Sequence, residues 1–337
     1  MKDIQNVVAF VSAGALALSF AAGAAVAQTA EAPPLQLEAK IPLGEVNGRI
    51  DHMAIDPTRH RLFVAELGND TVGVVDLKQR KVVHVIAGLK EPQGVGYVPS
   101  SDALYVANAR DGSVQLFRGE DYAGAGRIDL GDDADNIRVD TAANRIFIGY
   151  GGGAMAVIDP ASRSKVAEIP LKAHPEGFQL STTSPRIFVN LPDARAIAVL
   201  DRSSGQETAR WLPKGASGNF PMALDEASGH VLVVFRNPAK LGVFAMQTGA
   251  STVERDTCGD ADDVFFDAKR KRVYVSCGAG FIDAFDATAG TYRRLARVPT
   301  IAGARTSLFL PEEDRYVVAA RAHGKEPAAL WLYQPMP

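Results

Sequence analysis

The chain has 337 residues, with 36 Lys and Arg against 39 Asp and Glu and a formal net charge of −3. That balance, with no long basic run, gives no electrostatic support to nucleic-acid binding. A chain of this size buries about three quarters of the surface it exposes when unfolded, so it needs no metal or disulfide merely to fold.

The first segment is a leader. Lys2 supplies a positive start, Val7 to Phe20 is apolar apart from small residues, and Ala25-Val26-Ala27 is an A-x-A cleavage site. This reads as a signal peptide over 1–27 rather than a retained anchor, followed by a flexible mature N-terminus over 28–34. Export across a bacterial inner membrane, to the periplasm or beyond, is expected. No later stretch is long and apolar enough to span a bilayer, so no membrane span remains after cleavage.

From there the chain repeats. A tetrapeptide of the type Arg-Leu-Phe-Val recurs at positions 61, 103, 145, 186, 230, 272 and 315, offset by 41 to 44 residues. Each copy is preceded by a short apolar run and a turn, and followed by a loop and a Val-Val-Asp-like run. A period of about 40–45 residues with several short β-runs per unit marks propeller blades. In the first unit, strands are predicted at Met53-Ala54-Ile55, Arg61 to Glu66, Thr71 to Asp76 and Lys81 to Ile86, with Asp56-Pro57 and Gly68-Asn69-Asp70 as turns.

The predicted fold is all-β: one seven-bladed β-propeller domain over 35–337, built of four-stranded antiparallel blades. The blades fall at about 50–89, 92–131, 134–173, 175–215, 219–260, 261–303 and 304–335. The last unit offers only three strands, at Ser307-Leu310, Arg315-Arg321 and Ala328-Tyr333. The spare segment Leu35 to Leu43 is predicted to supply its outer strand and close the ring, which removes an open sheet edge.

Two cysteines occur, Cys258 and Cys277. In an oxidising compartment a pair is read first as a disulfide. Cys258 precedes the first strand of the sixth blade and Cys277 ends its second, so antiparallel pairing brings them within bridging reach. Two unlinked buried thiols are the alternative.

Leu104-Tyr105-Val106-Ala107-Asn108 followed by Gly112-Ser113-Val114 resembles the Tyr-Val-Thr-Asn type of propeller repeat. With Arg49-Ile50-Asp51-His52-Met53-Ala54-Ile55-Asp56 and Arg186-Ile187-Phe188-Val189-Asn190, nearly the whole mature chain resembles the YncE-like family of exported bacterial seven-bladed propellers. The resemblance implies fold and compartment. It carries no single chemistry, because a fold hosts many functions.

Candidate site residues follow from counting back five positions from each first turn. One register gives Asp51, Gln93, Asp135, Glu176, Phe220, Asp262 and Arg305; the next gives His52, Gly94, Asn136, Gly177, Pro221, Asp263 and Thr306. These residues open the innermost strands and should crowd one mouth of the central channel, above a lining of Val, Ile, Met, Phe and Leu. Carboxylates so close repel one another unless compensated. A hard cation such as calcium could be held by Asp51, Asp135, Glu176 and Asp262, with Asn136 adding a neutral oxygen. Arg305, with Arg49 and Arg138 nearby, could neutralise them instead. Or backbone N–H groups of the entry turns could bind them while they stay solvated.

The residue types, and their origin in different blades, are similar to the calcium-bearing mouths of gluconolactonase- and paraoxonase-type propellers. That similarity implies an ion acting as Lewis acid on a lactone or ester carbonyl, with His52 or a carboxylate as general base. The repeat style differs from those enzymes. His52, His174 and a carboxylate could alternatively hold zinc or copper, while His60, His84, His230 and His323 fall on turns or outer strands.

Other motifs fail on context. Gly151-Gly152-Gly153 precedes a strand, Ala154 to Asp159, and reads as a tight turn with positive φ rather than a phosphate cradle. Asp260-Ala261-Asp262-Asp263 lacks the glycine and glutamate of a helix-loop-helix calcium loop, and neither a G-x-S-x-G elbow nor a C-x-x-C-H haem site occurs. Trp211 and Trp331 are read as packing residues. The expectation is a monomeric periplasmic binding protein offering an acidic mouth, lined by Arg49 and the ring residues, to a small molecule or a periplasmic protein. A calcium-dependent lactonase or esterase, and a metal-binding protein, are the alternatives.

Overall fold

The computed structural model describes Met1, Val8, Ala9 and residues 32–337. The signal-peptide reading rests on residues outside those described. Seven four-stranded antiparallel sheets follow one another in the unit Pro33–Pro337, forming the blades of a ring. Their innermost strands are Met53–Asp56, Pro92–Val98, Ala134–Asp140, Phe178–Leu180, Ser217–Asp225, Ala261–Asp267 and Ser307–Leu310. No helix among the described residues is long and apolar enough to cross a membrane.

The ring closes as the sequence predicts. Leu35–Pro42 pairs antiparallel with Ala329–Pro335, from Leu35 opposite Pro335 to Pro42 opposite Ala329, as the outer strand of blade 7. First and last blades then share a core in which Ile41 and Leu330 pack with Leu62 and Val64. The six other blade junctions each hold a cluster of their own, such as Tyr105 and Ile128 with Ile137 and Ile148 between blades 2 and 3. Each fully buried Val, Leu or Ile side chain contributes about 1.5–3 kcal/mol, so the ring is held by seven adjoining cores.

The turn chemistry recurs. Asp56 Oδ1 accepts the N–H groups of Thr58 and Arg59 at 2.9 and 3.1 Å, and Asp140, Asp225 and Asp267 accept the N–H three residues on. These Asx turns tie the innermost strand to its neighbour. Asn108, which ends the Tyr105-Val106-Ala107-Asn108 run, is fully buried; it accepts the Lys90 N–H at 2.9 Å and donates to Ser113. Buried amides need such partners. Cys258 and Cys277 form a disulfide with Cα atoms 5.8 Å apart, inside the core between blades 5 and 6. Trp211 packs on Phe188 with ring centroids 5.5 Å apart, and Lys40 Nζ stands 4.0 Å over the Trp331 ring.

Candidate functional site at the central mouth

Two consecutive residues per blade can reach the mouth because the innermost pairing breaks there. In blades 2, 3, 5 and 6 the register shifts between Pro92 and Val95, Ala134 and Ile137, Asn219 and Met222, and Ala261 and Asp263. A bulge of this kind re-aims side chains. In blades 1 and 4 the strand proper starts later, and single bonds such as Ala65 N–H to His52 O (3.1 Å) and Asn190 N–H to Gly177 O (3.0 Å) continue the pairing. The second register needs glycine where blades touch. A Cβ on Gly94 would lie 2.0 Å from the Asp135 carbonyl oxygen, and one on Gly177 would lie 2.4 Å from that of Phe220.

The arginines divide the acidic ring. Arg49 Nη2 lies 2.6 Å from Asp51 Oδ2 and donates to Gln93 Oε1 at 3.4 Å. Arg305 Nε lies 2.8 Å from Asp262 Oδ2, and Arg236 Nη2 donates to Asp262 Oδ1 at 2.5 Å while its guanidinium stands 3.7 Å over the Phe220 ring. Asp263 Oδ2 accepts the Ser307 N–H at 2.7 Å. His52 sits between two carboxylates, with Nε2 3.6 Å from Asp51 and Nδ1 3.9 Å from Asp263.

Asp135 and Glu176 have no lysine or arginine within 4.0 Å among the described residues; His174 takes that place, with Nε2 3.9 Å from Asp135 Oδ2. One ligand atom from each of Asp135, His174 and Glu176 lies within 4.8 Å of the others. Asp135 Oδ1 and Asn136 Oδ1 are buried and have no hydrogen-bond partner, in residues only 4% and 2% exposed. A buried acceptor without a donor costs about 1–3 kcal/mol, so both atoms favour a cation or a donor group.

Protonation follows burial. Desolvation pushes the Asp51 carboxyl up to about 6 against the pull of His52 and Arg49, and Asp263 up to about 7 against His52, the Ser307 N–H and Arg138. Burial and the Asp135 charge hold Glu176 at about 8. Burial disfavours the His174 cation, yet the nearby Asp135 carboxylate, the bond to the Gly151 carbonyl and the Glu176 and Asp133 charges raise it to about 9. For His52, burial is likewise outweighed by Asp51, Asp263, Asp135 and Asp262, so its pKa rises. Burial lowers that of Arg138, which is packed over the Phe178 ring.

Beneath the ring, Asn136, Glu176 and Asp262 meet His52, Arg138 and Asp263 around a space of about 20 Å³. That suffices for one water or ion. Below it runs a channel of about 550 Å³ with walls that include Val95, Ile137, Leu308 and Phe265, with His52, Arg138 and Asp263 at the ring end and Thr182, Glu226 and Glu312, just past the innermost strands, at the other. A groove of about 640 Å³ between blades 3 and 4 is larger, but its main polar pair, Asp140 and Arg202, is already joined at 2.6 Å.

The ring positions found by counting thus converge. Residues that counting missed are Arg236, at the end of the second strand of blade 5, and Asp133 and Asp260 in the loops entering blades 3 and 6. The second-strand ends also face the mouth, and aligning them blade by blade would have revealed Arg236. His60 and His230 pair instead with Glu313 and the Tyr292 hydroxyl.

No protein-family model matches the chain, and no curated protein matches it. Among solved structures it is similar to the hydrazine synthase of Kuenenia stuttgartiensis, at 18% identity and a TM-score of 0.73, over 83% of this chain and 92% of that one. It is also similar to the WD40 repeats of RRP9, at 10% identity and a TM-score of 0.76, over 90% of this chain and 100% of that one. At such identity the likeness is one of fold, and the class it defines with the blade topology is the seven-bladed β-propeller.

Proposed function

We propose that the protein is an exported propeller of YncE-like type that binds a small ligand at its central mouth. The observation that carries this is the channel of about 550 Å³, apolar along its walls, with His52, Arg138 and Asp263 at the ring end and Thr182, Glu226 and Glu312 at the other. Ligand sites combine such a volume with a few convergent polar groups. The unpartnered oxygens of Asp135 and Asn136 offer acceptors at the ring, which favours a ligand with a donor-bearing cationic head and an apolar body. Export is supported by the leader pattern at residues 1–27 and by the Cys258–Cys277 bridge, which persists in oxidising compartments.

The test uses alkylamines of increasing chain length, titrated calorimetrically into the mature chain, D135N and the channel-filling L308W. Binding that strengthens with chain length and falls in both variants is the expected result. An amine bound equally well by all three proteins would put the site elsewhere. Cell fractionation and N-terminal sequencing test export, with Gln28 as the expected first residue.

A further inference from the structure

We infer that Asp135, His174 and Glu176 hold a first-row divalent transition-metal ion, with zinc as the reference. The inference shares the mouth with the proposed function but does not depend on the channel.

The three donors come from two neighbouring blades: Asp135 from the innermost strand of blade 3, His174 and Glu176 from the segment entering blade 4. Their ligand atoms lie within 4.8 Å of one another. Donors bound to one ion at about 2.0–2.2 Å stand roughly 3–4 Å apart, so little movement is needed. Two carboxylates and a neutral imidazole carry a charge that matches a divalent ion, and the imidazole selects a transition metal over calcium.

A second observation is independent of the cluster. His174 Nδ1 lies 2.7 Å from the carbonyl oxygen of Gly151. A carbonyl only accepts, so the Nδ1 proton is held there, and in the neutral ring Nε2 keeps its lone pair on the side of Asp135. Ligating histidines are characteristically oriented by such an outer bond. The Gly151-Gly152-Gly153 turn supplies it: Gly151 has φ +58° and Gly153 φ +150°, conformations suited to glycine. Pro175 fixes the approach, since a Cβ on Gly149 would stand 2.9 Å from Pro175 Cγ. The third sign is Asp135 Oδ1, buried without a partner in a side chain 6% exposed. No arginine among the described residues forms an ion pair with Asp135 or Glu176: Arg49 is on Asp51, Arg305 and Arg236 are on Asp262, and Arg138, which lines the same small space as Glu176, donates to the Ile137 carbonyl. His174 remains 19% exposed at the mouth, which leaves a way in for the ion.

The experiment titrates Zn²⁺ into chelator-treated full-length mature protein in competition with a chromophoric chelator. One ion per chain is expected. H174A, H174Q and D135N should each weaken binding by about 10-fold or more, while H323A, at an exposed site, should bind as the wild type does. Co²⁺ should give a visible d–d band that H174Q loses. Two histidine variants are used so that a folding defect in one does not decide the matter, and circular dichroism checks both. Zinc bound equally by H174A and H174Q, or not bound at all, overturns the inference, as does Ca²⁺ displacing Zn²⁺ at comparable concentration. L308W should retain zinc. Loss of amine binding with zinc retained therefore speaks only to the channel, and amine binding without zinc speaks only against the metal site.

Discussion

Arg270 of blade 6 grips Asp314 of blade 7 through two N–H···O bonds of 2.7 and 2.8 Å, and the same guanidinium reaches Asp267 at 3.1 Å. Arg59 does the same between blades 1 and 2, bonding Asp102 twice at 2.9 Å and Asp56 at 2.8 Å. In both cases the arginine lies three residues after the turn aspartate, so one side chain caps its own blade and pins the next.

Removing that pin should loosen the ring. In Arg270→Met, the buried Asp267 carboxylate loses its cation, and its Oδ2 keeps only the Tyr274 hydroxyl at 3.5 Å. The contact is partly buried, so the loss should fall between that of a surface pair and that of a fully buried one, about 2–3 kcal/mol. Urea unfolding of the variant against wild type reads it directly, and an unchanged midpoint would show the pin to be idle.

Replacing both Cys258 and Cys277 by Ala should cost about 3 kcal/mol, because the bridge closes a loop whose ends are 19 residues apart. Reducing agent should bring the wild type down to the level of the double variant. A variant as stable as the oxidised wild type would mean that the core between blades 5 and 6 holds without the bridge.

Stability of the metal-free protein should fall as pH rises through neutrality. Asp263 titrates near 7 in the fold because burial and Asp262 oppose its charge, with His52, the Ser307 N–H and Arg138 only partly offsetting them. The folded chain therefore keeps a proton that the unfolded chain, with an ordinary carboxyl, has lost. Its contribution is complete below the ordinary carboxylate range and is lost as pH rises through about 7. His52, also raised, acts in the same direction. Asp263→Asn keeps an acceptor for Ser307 but cannot titrate, so its melting temperature should change less between about pH 5 and pH 8. An equal slope in both proteins would remove Asp263 from the account.

Ile41 is fully buried in the closing strand, between blade 7 and blade 1. Ile41→Ala should cost about 2–4 kcal/mol through lost burial and the cavity left behind. Deleting Leu35–Pro42 should expose the edge of Ala329–Pro335 and drive association. Light scattering distinguishes the two effects; a monomeric deletion variant with wild-type stability would mean that closure contributes nothing.

Blade number, strand limits and the closing strand were legible because each depends on local chemistry. Arg61–Glu66, Thr71–Asp76 and Lys81–Ile86 are short apolar-rich runs set between turns that nearby Asp and Gly residues specify, and the pattern repeats blade by blade. The same repetition put Asp51, Asp135, Glu176 and Asp262 at one level, since equivalent positions in equivalent blades must share a height in the ring. Which charges meet was not legible. Arg236 reaches Asp262 from the preceding blade, and His174 turns to Gly151 across the junction of blades 3 and 4. Such contacts depend on how far each blade is rotated against the next and on how far a side chain can reach, and the interdigitating interblade cores set both. Repeating local chemistry along the chain is enough to specify the ring and the level of its mouth. The packing of blade against blade places arginines on Asp51 and Asp262 and leaves His174 beside Asp135 and Glu176.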